Sequence, residues 1–394
     1  MTQPPVRLLR DLAEINPRAA RLAPDEIVSF VGMADLDEVA ARNTSEAPRR
    51  FEEVSKGYTP FQNGDLLAAK ITPCWQNGKV GQAVLSSEHG MGSTEFHVIR
   101  PGLDADRRYL LHFLRDPHVR NTGTLRMTGS GGQRRVPAKY MSDLAVPTPP
   151  LAEQRRIASI LDEADAIRAK RRTQLAHLDS LERSLFLEAF GDLEAQSHVT
   201  DALLEQKGAI RTGPFGSQLL HEEFVDEGVA VLGLDNVVDN DFKWAKRRFI
   251  TPAKYAELSR YTVHPGDVLI SIMGTVGRCV VVPEGIPASI NTKHICAITL
   301  DRSVAHPTFV RAAFLWHPAT RRHLAHETKG AIMAGLNMGI IKGMPLPLPP
   351  IGAQIQFANK ITAIRTERDR VAKALDGDEE LFAALQHRAF RGEL

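Results

Sequence analysis

Two stretches of the chain carry apolar stripes at helical spacing, and each follows a run of prolines. Residues 144–157 read LAVPTPPLAEQRRI, and residues 344–357 read MPLPLPPIGAQIQF. Proline lacks an N–H and pushes the residue before it out of the helical region, so the chain must arrive extended and turn helical only behind each run. Behind the first, Ile157, Ile160, Ala164, Ile167, Leu178, Leu181 and Leu185 recur at heptad spacing, with Arg171 and Gln174 mid-stripe. Glu153 falls in the first turn, where a carboxylate complements the helix dipole, and Gly191 after Phe190 is a natural stop. Behind the second, Phe357, Ile364, Val371, Ala374, Leu381 and Leu385 line up in the same way. This stripe is poorer: Lys360 stands where Ile160 does, and Asp376, Gly377 and Asp378 are expected to loosen the helix. About 40 residues rising about 1.5 Å each make a rod of roughly 60 Å. A lone helix cannot bury such a stripe, but two related ones can bury each other as a coiled coil. The alternative is two unrelated helices, each packed on its own domain.

The two stretches are a repeat. Pro149 and Pro150 align with Pro349 and Pro350, an offset of 349 − 149 = 200. The same offset aligns Pro147 with Pro347, Leu151 with Ile351, Gln154 with Gln354 and Ile157 with Phe357, and still aligns Leu181, Leu185, Ala189 and Phe190 with Leu381, Leu385, Ala389 and Phe390. A fainter match lies upstream, NGDLL at 63–67 against PGDVL at 265–269. The organisation is therefore A–B–A′–B′, with boundaries near 1–145, 146–195, 196–343 and 344–394. A and A′ read as mixed α/β domains. VAVLGLDNVV (229–238), DVLISIM (267–273), RCVVVP (278–283) and HICAITL (294–300) have the pattern of strands between turns, and residues 307–327 that of a helix with Phe309, Ala312, Ala313, Leu315 and Trp316 inward. YLLHFLRDPHVR (109–120) holds the comparable place in A.

The 394 residues suit two or three domains, and 43% hydrophobic with 24% charged residues is the composition of a folded chain. With 49 basic and 47 acidic side chains the net charge is +2, so a nucleic-acid partner must be argued from local loops. Three cysteines, Cys74, Cys279 and Cys296, give neither a disulfide framework nor a cysteine zinc site. No apolar run spans a bilayer and the first residues lack an apolar signal core, which points to the cytoplasm. The sequence contains no GxxxxGK phosphate loop, HExxH helix or GxSxG elbow, and no histidine spacing suits a metal. A non-catalytic chain with no cofactor of its own is expected.

What remains is a set of glycine-rich polar loops. In MTGSGGQRRV (127–136), Gly129, Gly131 and Gly132 permit close backbone approach, and Ser130, Gln133, Arg134 and Arg135 supply donors for phosphates or base edges. AKITPCWQNGK (69–79) offers Lys70, Gln76, Asn77 and Lys79, with Trp75 better suited to the core than to stacking. RTGPFGSQL (211–219) offers Arg211, Ser217, Gln218 and one aromatic ring, and SINTKH (289–294) offers Asn291, Thr292 and Lys293. HETKGAIMAGLN (326–337), with Lys329, Gly330 and Asn337, sits before B′ as 127–136 sits before B. Asparagine and glutamine suit adenine and arginine suits guanine, because their paired groups match those base edges. Two such domains on one rigid spacer would read two short half-sites; without DNA contact, the paired helices would make a protein-interaction scaffold.

PTPPLAEQRRIASILDEAD resembles the proline-led conserved helix of the specificity subunits of type I DNA restriction–modification systems, where a PLPPLxEQxxI sequence closes a target-recognition domain and opens a long spacer helix. GSGGQRRV…YMSDLAVPTPPLAEQ fits the run-in to that helix, and IRTGPFGSQL resembles the opening of a second recognition domain. The order A–B–A′–B′ covers the whole chain. The match is weaker at B′, where IGAQ replaces LAEQ and Ala353 stands in the place of Glu153. The resemblance implies two globular α/β target-recognition domains joined by two long antiparallel coiled-coil helices with an internal pseudo-two-fold repeat. It implies no catalysis in this chain, a bipartite double-stranded DNA site, and a gap between half-sites set by the helices. It also implies two adenine-methylating subunits that carry S-adenosylmethionine, and ATP- and Mg-dependent restriction and translocation subunits that make the nuclease. A methylation-only defence system would differ only in those partners. Given the near-zero net charge, the acidic residues are expected away from the recognition faces.

Overall fold

The computed structural model describes residues 4–130, 132–244, 248–327 and 335–394. Behind the first proline run a single helix spans Leu151–Phe190, and behind the second another spans Ile351–Ala389. The chain divides into two compact units: Met1–Gln174 with Val371–Leu394 (unit 1), and Leu175–Arg370 (unit 2). Each unit therefore holds one α/β domain, the half of the helix adjoining that domain, and half of the other helix.

In both units the two helix halves pack antiparallel. In unit 1, Ile157, Ala158 and Leu161 share a core with Phe382, Leu385, Ala389 and Phe390. Farther along, the Arg168 guanidinium lies 4.1 Å from the centre of the Phe382 ring and bonds Asp165 at 2.8 Å and Glu379 at 2.5 Å. Arg171 meets Asp378 at 3.1 Å, and Arg172 meets Glu379. Asp378 thus has a partner, and the helix runs unbroken through the Asp376–Gly377–Asp378 step that was expected to loosen it. In unit 2, Phe186 and Phe190 face Phe357 at ring distances of 5.7 and 5.5 Å, and buried Glu182 accepts from Arg365 at 2.7 Å and from Arg311 at 3.3 Å.

The buried stripe differs from the expected heptad. It runs through Gln154, Ile157, Ala158, Leu161, Glu182, Phe186 and Phe190, and through Gln354, Phe357, Ala358, Ile361, Val371, Phe382, Gln386 and Ala389. A straight helix repeats every 3.6 residues, so a 3.5-residue pattern drifts about 20° per heptad onto the flank. Ile157, Phe357 and Val371 are buried, and Ile160, Leu178, Leu185, Ile364 and Leu385 are half-buried. Ile167, Leu181 and Leu381 are 48%, 40% and 55% exposed and face out.

The two α/β domains share a plan. In unit 1 a sheet ordered Ala47–Arg50, Ile27–Val31, His89–Gly92 and Thr59–Gln62 packs beside a larger one built on Ala13–Ile15, Phe96–Pro101, Leu66–Ala69 and Val80–Gln82. In unit 2 the orders are Phe249–Ile250, Val229–Leu232, Ser289–Asn291 and Thr262–Val263, and Ile210–Thr212, Ile295–Ile298, Val268–Ser271 and Cys279–Val281. Each domain has the same parallel pair, Ile27–Val31 beside His89–Gly92 and Val229–Leu232 beside Ser289–Asn291. A short strand of each closes against the proline run: Val6–Leu8 on Ala145–Pro147, and Ser197–His198 on Pro345–Leu346.

The segment read as one helix over 307–327 is two, Pro307–Trp316 and Pro318–Glu327, and its counterpart is Arg107–Leu114 with Pro117–Leu125. Pro117 and Pro318 each sit at the first position of the second helix, where a missing N–H costs nothing, and force the break before it.

Gln154 and Gln354 tie each proline run to its domain. The Gln154 Nε2 donates to the Asp104 and Pro149 carbonyls at 3.1 and 3.0 Å, and Oε1 accepts from the Asp106 amide at 2.9 Å. Gln354 does the same with Val304 at 3.0 Å, Pro349 at 2.8 Å and the His306 amide at 2.9 Å.

Candidate nucleic-acid interface

In unit 1 three distant loops meet at one end of the larger sheet. The Lys70 amide donates to the Glu95 carbonyl and the Val136 amide to the Lys70 carbonyl, both at 2.8 Å. Thr72 clamps the glycine loop: its amide donates to the Arg134 carbonyl at 2.9 Å, and its Oγ1 donates to the Gly132 carbonyl at 2.7 Å and accepts from the Arg134 amide at 3.2 Å. Thr128 and Arg135 exchange both backbone hydrogen bonds, so the two arms of the loop pair there as a hairpin stem. Gly129 has a φ of +123°, and a Cβ there would lie 2.7 Å from the Gln133 carbonyl oxygen, so only glycine fits.

The hairpin is braced from beneath. Arg135 grips Glu95 with Nε at 3.0 Å and Nη2 at 2.7 Å, and this hydrogen bonding holds the Glu95 carboxyl below the usual range despite partial burial. Buried His97 donates from Nε2 to the Val136 carbonyl at 2.8 Å, and burial lowers its pKa and keeps it neutral. Arg134 gives one Nη to the Met127 carbonyl at 2.8 Å and remains exposed. Ser130, Gln133, Gln76 and Asn77 are exposed, and Lys70 is half-buried. Lys79 is used within the unit, donating to the Met33 carbonyl at 3.1 Å with Glu38 at 3.8 Å. Trp75 is core, its Nε1 donating to the Arg120 carbonyl at 2.9 Å.

Unit 2 repeats the same ladder. The Ile272 amide donates to the His294 carbonyl at 2.9 Å, and the Leu336 amide to the Ile272 carbonyl at 3.0 Å. Ile272, His294 and Leu336 thus hold the places of Lys70, Glu95 and Val136. Lys293 and Ser217 are exposed. Gln218 is exposed but accepts from the Tyr261 hydroxyl at 2.9 Å. Thr292 is half-buried and its amide donates to the Leu232 carbonyl at 2.9 Å. Gly131 and Lys329 lie outside the described residues.

Two residues expected to face a ligand, Arg211 and Asn291, are buried and bonded within the unit. Arg211 is 7% exposed and faces Asp267, the Thr262 carbonyl at 2.9 Å and Thr299 Oγ1 at 2.9 Å. Its place follows from the repeat. Asp65 and Asp267 each follow a left-handed glycine, Gly64 and Gly266. Asp65 is neutralised by Arg100 at 3.0 and 2.7 Å, whereas Thr299 stands at the register of Arg100 and the cation for Asp267 comes from the neighbouring strand. Asn291 is fully buried and donates to the Ile295 carbonyl at 2.7 Å. Asn337 is exposed, and its Oδ1 caps the helix Met338–Lys342 by accepting from the Ile340 amide at 2.9 Å. Sequence reasoning passed over Thr72, Glu95 and His97, which hold the loops. The partners of Glu95 and Thr72 lie 40 and 62 positions away, a separation no local pattern betrays.

A family model for the type I restriction modification DNA specificity domain matches residues 6–177. The type I restriction enzyme EcoAI specificity subunit of Escherichia coli is 36% identical over 199 residues, 50% of this chain and 31% of that protein. The EcoEI specificity subunit of the same organism is 38% identical over 151 residues, 38% of this chain and 25% of that protein. The matched region thus spans a third or less of the length of these two relatives. A chain of a solved type I R-M system, studied for its complex assembly and conformational transition, shares the fold with a TM-score of 0.60 at 16% identity, covering 100% of both chains.

Over residues 6–177 the chain is thus similar to type I restriction modification DNA specificity domains. Among the described residues no helix is long and apolar enough to cross a membrane, and no group of three or more His, Cys, Asp or Glu side chains is placed to hold a metal ion.

Proposed function

We propose that this chain is the DNA-reading, non-catalytic subunit of a cytoplasmic type I restriction–modification complex. Residues 1–145 read one half of a bipartite site and residues 196–343 the other, and the helices of 146–195 and 344–394 fix the number of base pairs between them. Two modification subunits carrying S-adenosylmethionine methylate adenine at the bound site, and restriction subunits using ATP and Mg add cleavage. The observation that carries this reading is the duplicated ladder, Glu95–Lys70–Val136 and His294–Ile272–Leu336, which presents variable polar loops on a shared frame in each unit. Repeated frames with different loops suit two half-sites of different sequence.

In unit 1 the contacts come from Lys70, Gln76, Asn77, Ser130, Gln133 and Arg134, and in unit 2 from Ser217, Gln218 and Lys293. Ile167 and Leu381 in unit 1 and Leu181 in unit 2 remain exposed on the paired helices, apolar surface suited to the modification subunits.

The test is to assemble the chain with its modification partners, enrich a random DNA library, and map adenine methylation in the host genome. A shared bipartite motif is expected. Exchanging 196–343 for the same region of a relative should change one half only, and a heptad added to both helices should widen the gap without altering either half. Salt-sensitive binding without sequence preference would favour the scaffold reading.

A further inference from the structure

One corner of unit 1 stays open where its counterpart in unit 2 is closed. In unit 2, Thr320 Oγ1 near the start of the helix Pro318–Glu327 donates to the Pro345 carbonyl at 2.6 Å and ties that helix to the proline run. His317, just before the helix, donates from Nε2 to the Leu193 carbonyl at 3.1 Å, so the chain leaving Phe190 crosses the corner. In unit 1 the same two places before and after the helix-opening proline carry Val119, which has no hydroxyl, and Asp116, which has no proton to offer a carbonyl. The chain past Phe390 leads elsewhere: a Cβ on Gly392 would lie 2.5 Å from Pro4 Cδ, and the Leu394 carbonyl accepts from Arg156 at 2.7 Å. A groove of about 890 Å³ is left between the helix Pro117–Leu125, the proline run and the end of the helix Ile351–Ala389.

The floor of the groove is apolar. Phe113, Val119 and Leu144 are buried there, and Tyr140 and Phe390 are half-buried. The rim is charged, and its carboxylates are already used. Asp116 caps the helix by accepting from the His118 amide at 2.6 Å, and Asp143 is met by Arg10 and by Lys139 at 2.9 Å. Arg126 and Arg391 are exposed beside His118 and His387, and neither arginine has an ion pair among the described residues. An apolar floor under unpaired guanidinium groups suits a protein segment with carboxylates around an apolar anchor. The chain that crosses the corner in unit 2 has that composition, Asp192–Leu193–Glu194. Arg126 and Pro137 also flank the hairpin stem of 128–135, so an occupant stands beside the DNA that this hairpin reads. On the functional reading above, the protein that must stand there is a modification subunit, which has to reach the adenine. Resting on that reading, we propose that the groove seats an acidic segment of one modification subunit, with an apolar side chain against Phe113 and Phe390 and carboxylates on Arg126 and Arg391. The corner of unit 2, tied by Thr320 and crossed at Leu193, offers no equal seat. Of the two modification subunits, the one on unit 1 is therefore held more tightly.

The test titrates the full chain with its modification subunits in the absence of DNA and follows stoichiometry by sedimentation. The wild type should bind two modification subunits in unequal steps. Arg126→Glu combined with Arg391→Glu should weaken the tighter step about 10-fold, leave the weaker step unchanged and preserve the melting temperature of the free chain. The photo-crosslinker p-benzoylphenylalanine at Thr122, which lines the groove, should capture a modification-subunit peptide in which Asp or Glu flanks an apolar residue. Reversing those carboxylates to lysine should restore the tight step to the double variant. A double variant that assembles like the wild type overturns the inference. So does a crosslink confined to copies of this chain, one to a peptide without acidic residues, or one that forms only with added DNA. If the wild type binds no modification subunit at all, the functional reading itself fails, which is a distinguishable outcome.

Discussion

Gln154 and Gln354 stand 200 positions apart and make the same three hydrogen bonds, each to the proline just before its helix and to two backbone groups of its own domain. Both are almost fully buried. Truncating either to alanine strands buried backbone groups, at about 1–3 kcal/mol for each group left unpaired. Gln154→Ala and Gln354→Ala should destabilise by similar amounts. Hydrogen exchange should rise at 104–106 in the first variant and at 304–306 in the second; exchange that spreads equally through both units would refute a local tie.

Arg211 separates stability from recognition. Removing one partner of a buried ion pair costs about 3–5 kcal/mol, so Arg211→Ala should lower the melting temperature of unit 2 with no DNA present. Gln133→Ala and Arg134→Ala, at exposed positions, should leave stability within about 0.5 kcal/mol and cost about 1–3 kcal/mol in DNA affinity. Calorimetry on the free protein and binding titrations on the complex check the two halves of this contrast.

The helix register is testable by substitution. Leu161 is fully buried in unit 1, and Leu161→Ala should cost about 2–5 kcal/mol in a urea titration. Ile167→Ser and Leu381→Ser should cost little, because both side chains already face out. The same two variants should weaken assembly with the modification subunits.

Gly377 lies inside the second helix, exposed, with no atom within 4 Å of a built Cβ. Gly377→Ala should stabilise by about 0.5–1 kcal/mol through the unfolded chain, seen as a higher melting temperature.

Acid should loosen unit 1 in two stages. Buried His112 donates from Nε2 to Asp162 at 2.6 Å, and Arg108 grips the same carboxylate at 2.5–3.1 Å. Burial lowers the His112 pKa against the pull of Asp162, so the unfolded chain takes up that proton first and stability declines as the pH falls below about 6.5. Burial opposes the charge on Asp162, but hydrogen bonds from His112 and Arg108 outweigh it and bring the carboxyl to about 2. Its contribution is therefore complete above about pH 4 and disappears between about 4 and 2. Melting temperatures measured across this range should fall in both intervals, and His112→Gln should flatten the upper one.

The proline runs, the two helices and the repeat were legible because each depends on a few residues close in sequence. The buried face was not. Ile157, Leu178 and Leu185 suit a 3.5-residue repeat and a 3.6-residue repeat nearly alike over two turns, and only Ile167, Leu181 and Leu381 tell the periods apart. The loop sites were half legible. Glycines and donors marked 127–136 and 69–79, but Arg211 and Arg134 look alike in sequence. What buries one and exposes the other is Asp267, 56 positions away, which must draw its cation from a neighbouring strand because Thr299 holds the place of Arg100.

The division of each helix between the units has a practical meaning for dissecting the gene. Unit 1 needs Val371–Leu394, and unit 2 needs helix turns from both sides of its α/β domain. No uninterrupted coding segment that stops at residue 195 can supply a finished first lobe, because the strip that seals Ile157 and Leu161 is encoded beyond residue 370. Synthesis of Val371–Leu394, rather than of either domain, is what closes unit 1.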